Sequence, residues 1–349
     1  MHLKIYDTHY IQQLTRKRPG ETKLGERVQS LASGDLAEGL KKSPAKFVLL
    51  GLPEDIGVRA NFGRGGANSA WQPALSNILN IQSNNFLKGD ELLVLGHVDV
   101  DDLSKQSEHA DTEGLRALVS QVDARVTEVI KTIVSCGKIP IVIGGGHNNS
   151  YGNIRGAAEG LVAAGKLKTA GINVINSDAH ADFRALEGRH SGNGFSYAFS
   201  EGFLHKYFIV GLHENYNSQN VLDELKKHPA QIRYSFFEDI FVREEIDLNT
   251  AISEAIAFTN DTFCGIELDM DTVQNIPSSA KTSSGISANQ ARQYVSKCAK
   301  HTNAVYLHIA EAAPVLSHIK TDNKTGKLIA YLVTDFMKAI GNRQLAVDN

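Results

Sequence analysis

Eight short, apolar, β-rich runs punctuate this chain: KFVLLGL, ELLVLGHV, IPIVIGG, INVINSD, YFIVGL, IRYSFF, FCGIELDM and AVYLHIA. They alternate with longer amphipathic stretches such as TEGLRALVSQVDARVTEVIKTIV and SANQARQYVSKCAKH, the latter opened by Ser287 as an expected helix N-cap. Strand and helix repeated in this way give right-handed βαβ units and a mostly parallel sheet. The pattern alone does not choose between a closed barrel and an open sheet. Residues 1–45 are polar and mixed in charge, with RKRPGETKLGERVQ read as loop and short helix. They are expected to form an N-terminal extension, with 46–349 as a single catalytic domain.

Composition narrows the class of function. The 36 basic and 39 acidic residues among 349 leave a formal charge of -3 and no basic stripe for nucleic acid. No uncharged apolar run is long enough to span a membrane, and the N-terminus has no apolar segment after a basic start. A cytoplasmic location is therefore expected. Cys136, Cys264 and Cys298 are far apart and form no CxxC pair, which favours buried free thiols over disulfides or a zinc-thiolate site.

The most informative stretch is residues 172–183, INVINSDAHADF. Asp178, His180 and Asp182 fall at alternate positions where the apolar run ends, so in extended backbone they project to one side. Carboxylates beside a buried strand are costly unless a cation neutralises them. The plain alternative is a solvated acidic turn.

Other polar residues gather at the ends of other runs. His147 follows three glycines after IPIVI, Asp269 and Asp271 close FCGIELDMD, and Glu311 follows AVYLHIA. In a parallel α/β sheet the carboxyl ends of the strands share one edge, where ligands bind. Four aspartates carry -4, two neutral histidines carry none, and two divalent ions would balance them. Oxygen-rich ligation with two imidazoles suits manganese, with nickel or iron as alternatives and zinc usually taking fewer ligands. Two such ions would lower the pKa of a shared water and point to hydrolysis. GGGHNNS lacks the Lys-Ser/Thr of a phosphate loop, so tight turning toward a ligand His fits it better. His190 and His213 read as loop histidines on the surface and His308 as a core histidine. Glu267 shares the pleat parity of Asp269 and could stand behind the ligands or form a salt bridge elsewhere.

With these residues in view, the chain resembles the ureohydrolases, which include arginase, agmatinase and formimidoylglutamase. The resemblance runs from about Phe47 to the last helix. It rests on PEDIGVRANFGRGGANSAW, GGGH, DAHAD, LDMD and HIAEAAP in the family's order. It implies a three-layer α/β/α sandwich around an eight-stranded, mostly parallel sheet, two Mn2+ per chain, and a trimer or hexamer. By the same resemblance His147, Asp178, Asp182 and Asp269 would hold one ion, and Asp178, His180, Asp269 and Asp271 the other. Asp182 would also take a proton from the bridging hydroxide, and Glu311 would bind the planar amidine or guanidine nitrogens.

Departures from the arginase pattern bear on substrate. The position matching arginase's proton-shuttle His is Phe195, and TVQNIP replaces the usual Asp-Pro after the paired aspartates. GGGH, Arg184 two residues past Asp182, and SGNGF resemble the formimidoylglutamase branch, although Asn193 and Gly194 replace its Thr and Pro. An arginine fork suits a carboxylate, so Arg184, with Arg189 nearby, would favour N-formimidoyl-L-glutamate over cationic agmatine. Asn193, Asn215 and Tyr216 complete the expected substrate contacts. Arginase, agmatinase, guanidinobutyrase and guanidine hydrolase stand as alternative activities. A one-zinc deacetylase or a non-catalytic metal-binding relative are the remote ones.

Overall fold

A computed structural model describes residues 1–31, 34–317 and 323–347. Its centre is one open sheet of nine strands: β1 (Leu3–Ile5), β2 (Phe47–Gly51), β3 (Leu92–Val98), β4 (Ile139–Ile143), β5 (Ile172–Ser177), β6 (Leu204–Leu212), β7 (Ile232–Phe236), β8 (Phe263–Asp269) and β9 (Asn303–Ala310). Their order across the sheet is β1-β3-β2-β4-β9-β8-β5-β6-β7. The eight runs read from the sequence are β2 to β9, and every pairing among them is parallel.

The ninth strand lies in the N-terminal segment 1–45, ahead of RKRPGETKLGERVQ, where no strand is expected from the sequence. Strand β1 runs antiparallel to β3, with Ile5 opposite Gly96. A Cβ on Gly96 would stand 1.9 Å from the Lys4 carbonyl, so glycine is what lets the strands meet. Tyr6 Oη, 2.7 Å from His97 Nδ1, also accepts from Trp71 Nε1, tying the segment to the sheet edge. Three residues of β propensity among polar neighbours are too short a signal to read locally.

Alternate residues of the central strands feed two separate cores. Leu49, Ile141, Ile175, Ile266 and Leu307 face the helices Trp71–Leu79, Ala288–His301 and Lys324–Val347. Val48, Leu50, Val142 and Val174 face Thr112–Ser135 and Asn149–Ala163. This is the α/β/α arrangement: a strand buried on both faces reads as a continuous apolar run. Each fully buried Leu, Ile or Val contributes about 1.5–3 kcal/mol, which favours apolar residues through most of each strand. The Ser287 cap is present, with its side chain accepting from Gln290 N and Gln290 returning the bond to Ser287 N.

Strand order decides the position of the site. The chain builds β3-β2-β4, jumps to β5-β6-β7, and then fills the gap with β8 and β9. Strands β4, β9, β8 and β5 thereby become neighbours, and the loops after them carry His147, Glu311, Asp271 and the DAHAD turn.

Candidate metal centre

The loop after β4 is bent by Gly144 and Gly145, at φ 91° and 76°. A Cβ on Gly145 would stand 2.3 Å from Asn149 Nδ2, so this turn requires glycine. Buried Glu54, from the PEDIG segment, holds the turn from the other side. Its Oε1 accepts from Gly146 N and the Asn149 amide, and its Oε2 accepts from Ile56 N. The DAHAD turn is fixed similarly. Asn176 donates to Asp178 Oδ2 and Tyr207 Oη, Tyr207 donates to the Ala181 carbonyl, and Asn217 receives Ala181 N. Asp182 adopts φ 45°, a strained conformation that this framework enforces.

His147 Nδ1 has three carboxylate oxygens around it: Asp182 Oδ2 at 2.9 Å, and Asp178 Oδ2 and Asp269 Oδ2 at 3.1 Å each. One ring N–H cannot serve three acceptors in different directions. A divalent ion can, because ligand atoms about 2.1 Å from it and at right angles stand about 3 Å apart. This group, and a second made of His147, Glu267 and His308, are the sets within reach of one ion among the described residues. His180 and Asp271 line the cavity beside the first group, and His180 Nδ1 lies 3.6 Å from Asp178 Oδ1. Asp271 receives Ala280 N and the Ser279 hydroxyl.

Electrostatics points the same way. Burial, and then the charges of Asp178 and Asp271, pushes the Asp269 carboxyl far above the usual range. Burial raises Asp271 and Asp182 as well, with Asp178 adding to the rise of Asp182. Burial also opposes charge on Asp178, yet His147 and His180 hold it low. Without cations the cluster must keep protons on some of its carboxyls, and bound cations would take the place of those protons.

A cavity of about 330 Å³ opens onto these groups. Its lining includes His180, Asp182, Asp269, Asp271, Glu311 and the Ser279 bonded to Asp271 on the metal side, and Asn61, Arg184 and Tyr216 farther out. Glu311, at φ 62°, uses Oε1 to accept from His147 N at 2.8 Å. Its Oε2 is buried and has no hydrogen-bond partner among the described residues. Burial, with the charge of Asp271, lifts this carboxyl to about 8. Arg184 is half exposed at the rim, 3.3 Å from Asn61 Oδ1 and 3.7 Å from Glu187.

Several expected substrate contacts lie elsewhere. Asn193 is fully buried: Oδ1 receives Arg189 and His190 N, while Nδ2 donates to the Ala185 and Gly188 carbonyls, so it shapes the loop instead of lining the cavity. Arg189 is buried too, paired with Asp123 at 2.8 Å and stacked between Tyr151 and Tyr197, which removes it from substrate. Asn215 points to solvent, and its neighbours Tyr216 and Asn217 take the lining positions. His190 and His213 are buried instead of on the surface. His190 Nδ1 accepts from Gly192 N, and His213 is sandwiched between Tyr216 and Phe237. Phe195 lies behind the ligands, edge-on to His147 and stacked on Tyr207. Glu54 and Asn61 both lie in the PEDIGVRAN segment, where the sequence by itself gives neither a role.

A mostly parallel sheet that brings a carboxylate-rich ligand cluster and a glutamate with one unpaired oxygen to one crevice defines a metal-dependent α/β/α hydrolase. The chain belongs to the arginase family, whose model matches residues 45–338. It is 26% identical over 296 residues to the formimidoylglutamase of Streptococcus pyogenes serotype M3, with 82% of each chain covered. In fold it is similar to Trypanosoma cruzi formiminoglutamase with Mn2+, at TM-score 0.71 and 21% identity over 93% of this chain and 99% of that one. Bacillus subtilis formimidoylglutamase superposes at TM-score 0.73, with 21% identity over 93% and 94%.

Proposed function

We propose that this chain hydrolyses the C–N bond of a linear amidine, N-formimidoyl-L-glutamate, to L-glutamate and formamide, using two Mn2+. The observation that carries the reading is the shared cavity. Asp182 and Asp269 of the His147–Asp178–Asp182–Asp269 cluster line its floor beside His180 and Asp271, its wall offers the unpaired Glu311 oxygen, and its rim holds Arg184. The curated S. pyogenes relatives named formimidoylglutamase support the choice of substrate.

His147, Asp178, Asp182 and Asp269 would hold one ion, and Asp178, His180, Asp269 and Asp271 the other. When bound, the ions supply Lewis acidity and make a water acidic enough to attack at neutral pH. Glu311 Oε2 accepts from the amidine nitrogens and turns the carbon toward the cluster. Asp182, beside His147 at the cavity floor, accepts the proton of the attacking water and returns it to the departing amine. Arg184 pairs with a substrate carboxylate at the rim. Residues 46–349 form the catalytic unit in this reading, and 1–45 an extension docked on its edge strand. Cytoplasmic location and assembly as a trimer or hexamer belong to the same proposal. No helix among the described residues is long and apolar enough to cross a membrane.

The test is a substrate panel with Mn2+-loaded protein: N-formimidoyl-L-glutamate, arginine, agmatine, guanidinobutyrate and guanidine. The highest kcat/KM is expected on the first. A higher value on any guanidine would overturn the assignment.

A further inference from the structure

The second cluster around His147 has no place in that mechanism. Behind the ring, on the side away from the cavity, the buried carboxylate of Glu267 lies 3.4 Å from His147 Nε2. It receives the Tyr306 hydroxyl on Oε1 at 2.8 Å and stands 2.6 Å from His308 Nδ1 through Oε2. His308 Nε2 reaches back to the Gly144 carbonyl in the loop that carries His147. The arrangement follows from strand register: Glu267 is directly opposite His308 on β9. Tyr306 reaches it across Gly265, where a Cβ would come within 2.4 Å of the ring.

His147 faces the aspartates through Nδ1, so a cation there needs the Nδ1 lone pair, and the ring proton must reside on Nε2. That nitrogen is buried and has no well-formed hydrogen bond among the described residues. Glu267 Oε2, at 3.4 Å, is the acceptor beside it. A carboxylate held in place behind a ligand histidine fixes both its tautomer and its orientation.

We propose that Glu267 is a positioning residue that makes His147 an Nδ1 ligand, with Tyr306 and His308 holding Glu267 in turn. The proposal rests on the two-metal reading above, and it makes a site-selective claim. His147 serves only one of the two ions, so loss of Glu267 must weaken one binding event and spare the other. A general contribution to sheet stability would weaken both or neither.

The experiment is calorimetric titration of metal-free wild type and Glu267→Gln with MnCl2, with Tm of the metal-free proteins measured alongside. Wild type is expected to bind two ions. In Glu267→Gln one site should weaken about 10- to 100-fold, while the other stays within about threefold. Unchanged affinity at both sites, or equal weakening of both, overturns the proposal. Should Glu267→Gln fail to fold, Tyr306→Phe decides, because it removes one donor to Glu267. A several-fold weakening confined to one site supports the proposal, and unchanged affinity overturns it. A wild type that binds no Mn2+ would overturn the two-metal reading itself.

Discussion

Replacing Glu311 by glutamine is the sharpest perturbation of the proposed substrate site. The two oxygens of Glu311 do different jobs: Oε1 accepts from His147 N at 2.8 Å, and Oε2 is buried without a partner and faces the cavity. Glutamine has nearly the same shape, and its amide oxygen can keep the bond to His147 N, so the ligand loop stays in place. Its NH2 would then confront the N–H groups of the amidine, replacing an acceptor with a donor so that two donors stand face to face. A hydrogen bond to a charged group contributes about 1.5–3 kcal/mol. Lost in the transition state, that predicts a fall in kcat/KM of about 10- to 150-fold. Release of L-glutamate from N-formimidoyl-L-glutamate, read through a coupled glutamate dehydrogenase assay, measures it. Titration with MnCl2 should find metal affinity within about twofold of wild type. Activity within threefold of wild type would refute the role of Oε2. Loss of activity together with loss of metal would show that Glu311 acts on the cluster instead. Glu311→Ala serves as contrast. It leaves the His147 amide buried without an acceptor, at a cost of about 1–3 kcal/mol in stability.

Three further outcomes are expected. Asp269→Ala should lose both ions by metal analysis and lower turnover on the order of 10³-fold or more, comparable to removal of a strong electrostatic stabiliser; retained activity would exclude a bridging ligand. Arg184→Met should raise KM for N-formimidoyl-L-glutamate roughly tenfold and leave kcat almost unchanged, since a rim charge contributes mainly to binding; an unaltered KM would remove Arg184 from the substrate site. The metal-free protein should become less stable as pH rises from about 6.5 to 10. Although burial opposes its charge, His180 is raised from 6.5 to about 10 by Asp178, so its contribution is complete below 6.5 and lost toward pH 10. Glu311, raised from 4.5 to about 8 by burial and Asp271, also favours its neutral form in the fold, and that preference is lost as pH passes 8. A Tm drop of roughly 5 °C is expected across this window. MnCl2 should offset it increasingly with pH, because the ligands bind metal deprotonated. A metal-free Tm that climbs over the same range would contradict the electrostatic account.

Apolar runs and pleat parity are local properties, so β2 to β9 and the alternation Asp178, His180, Asp182 could be read without knowing the fold. The pair Glu267 and His308 could not, since their contact depends on the register between β8 and β9. Arg184 and Arg189 are five residues apart and equally basic. Only the packing of Asp123, Tyr151 and Tyr197 against Arg189 shows that it is committed to the interior while Arg184 remains at the rim. Asn193 looked polar enough to meet a substrate, but the bonds that hide it come from Arg189, His190, Ala185 and Gly188. Strand β1 was missed because its partner lies some ninety residues downstream, and three residues carry too little periodicity.

What this sequence determined alone was the ligand chemistry, carboxylates and imidazoles placed where apolar runs end, together with the parallel α/β layering that follows from strands buried on both faces. The convergence of those ligands was decided by tertiary structure. His147 and Asp269 are 122 residues apart, and their side chains meet at 3.1 Å only because β9 and β8 insert between β4 and β5. Hydrophobic burial fixes which face of a strand is hidden. Strand order and register, set by the packing of the whole sheet, fix which strand ends share a crevice.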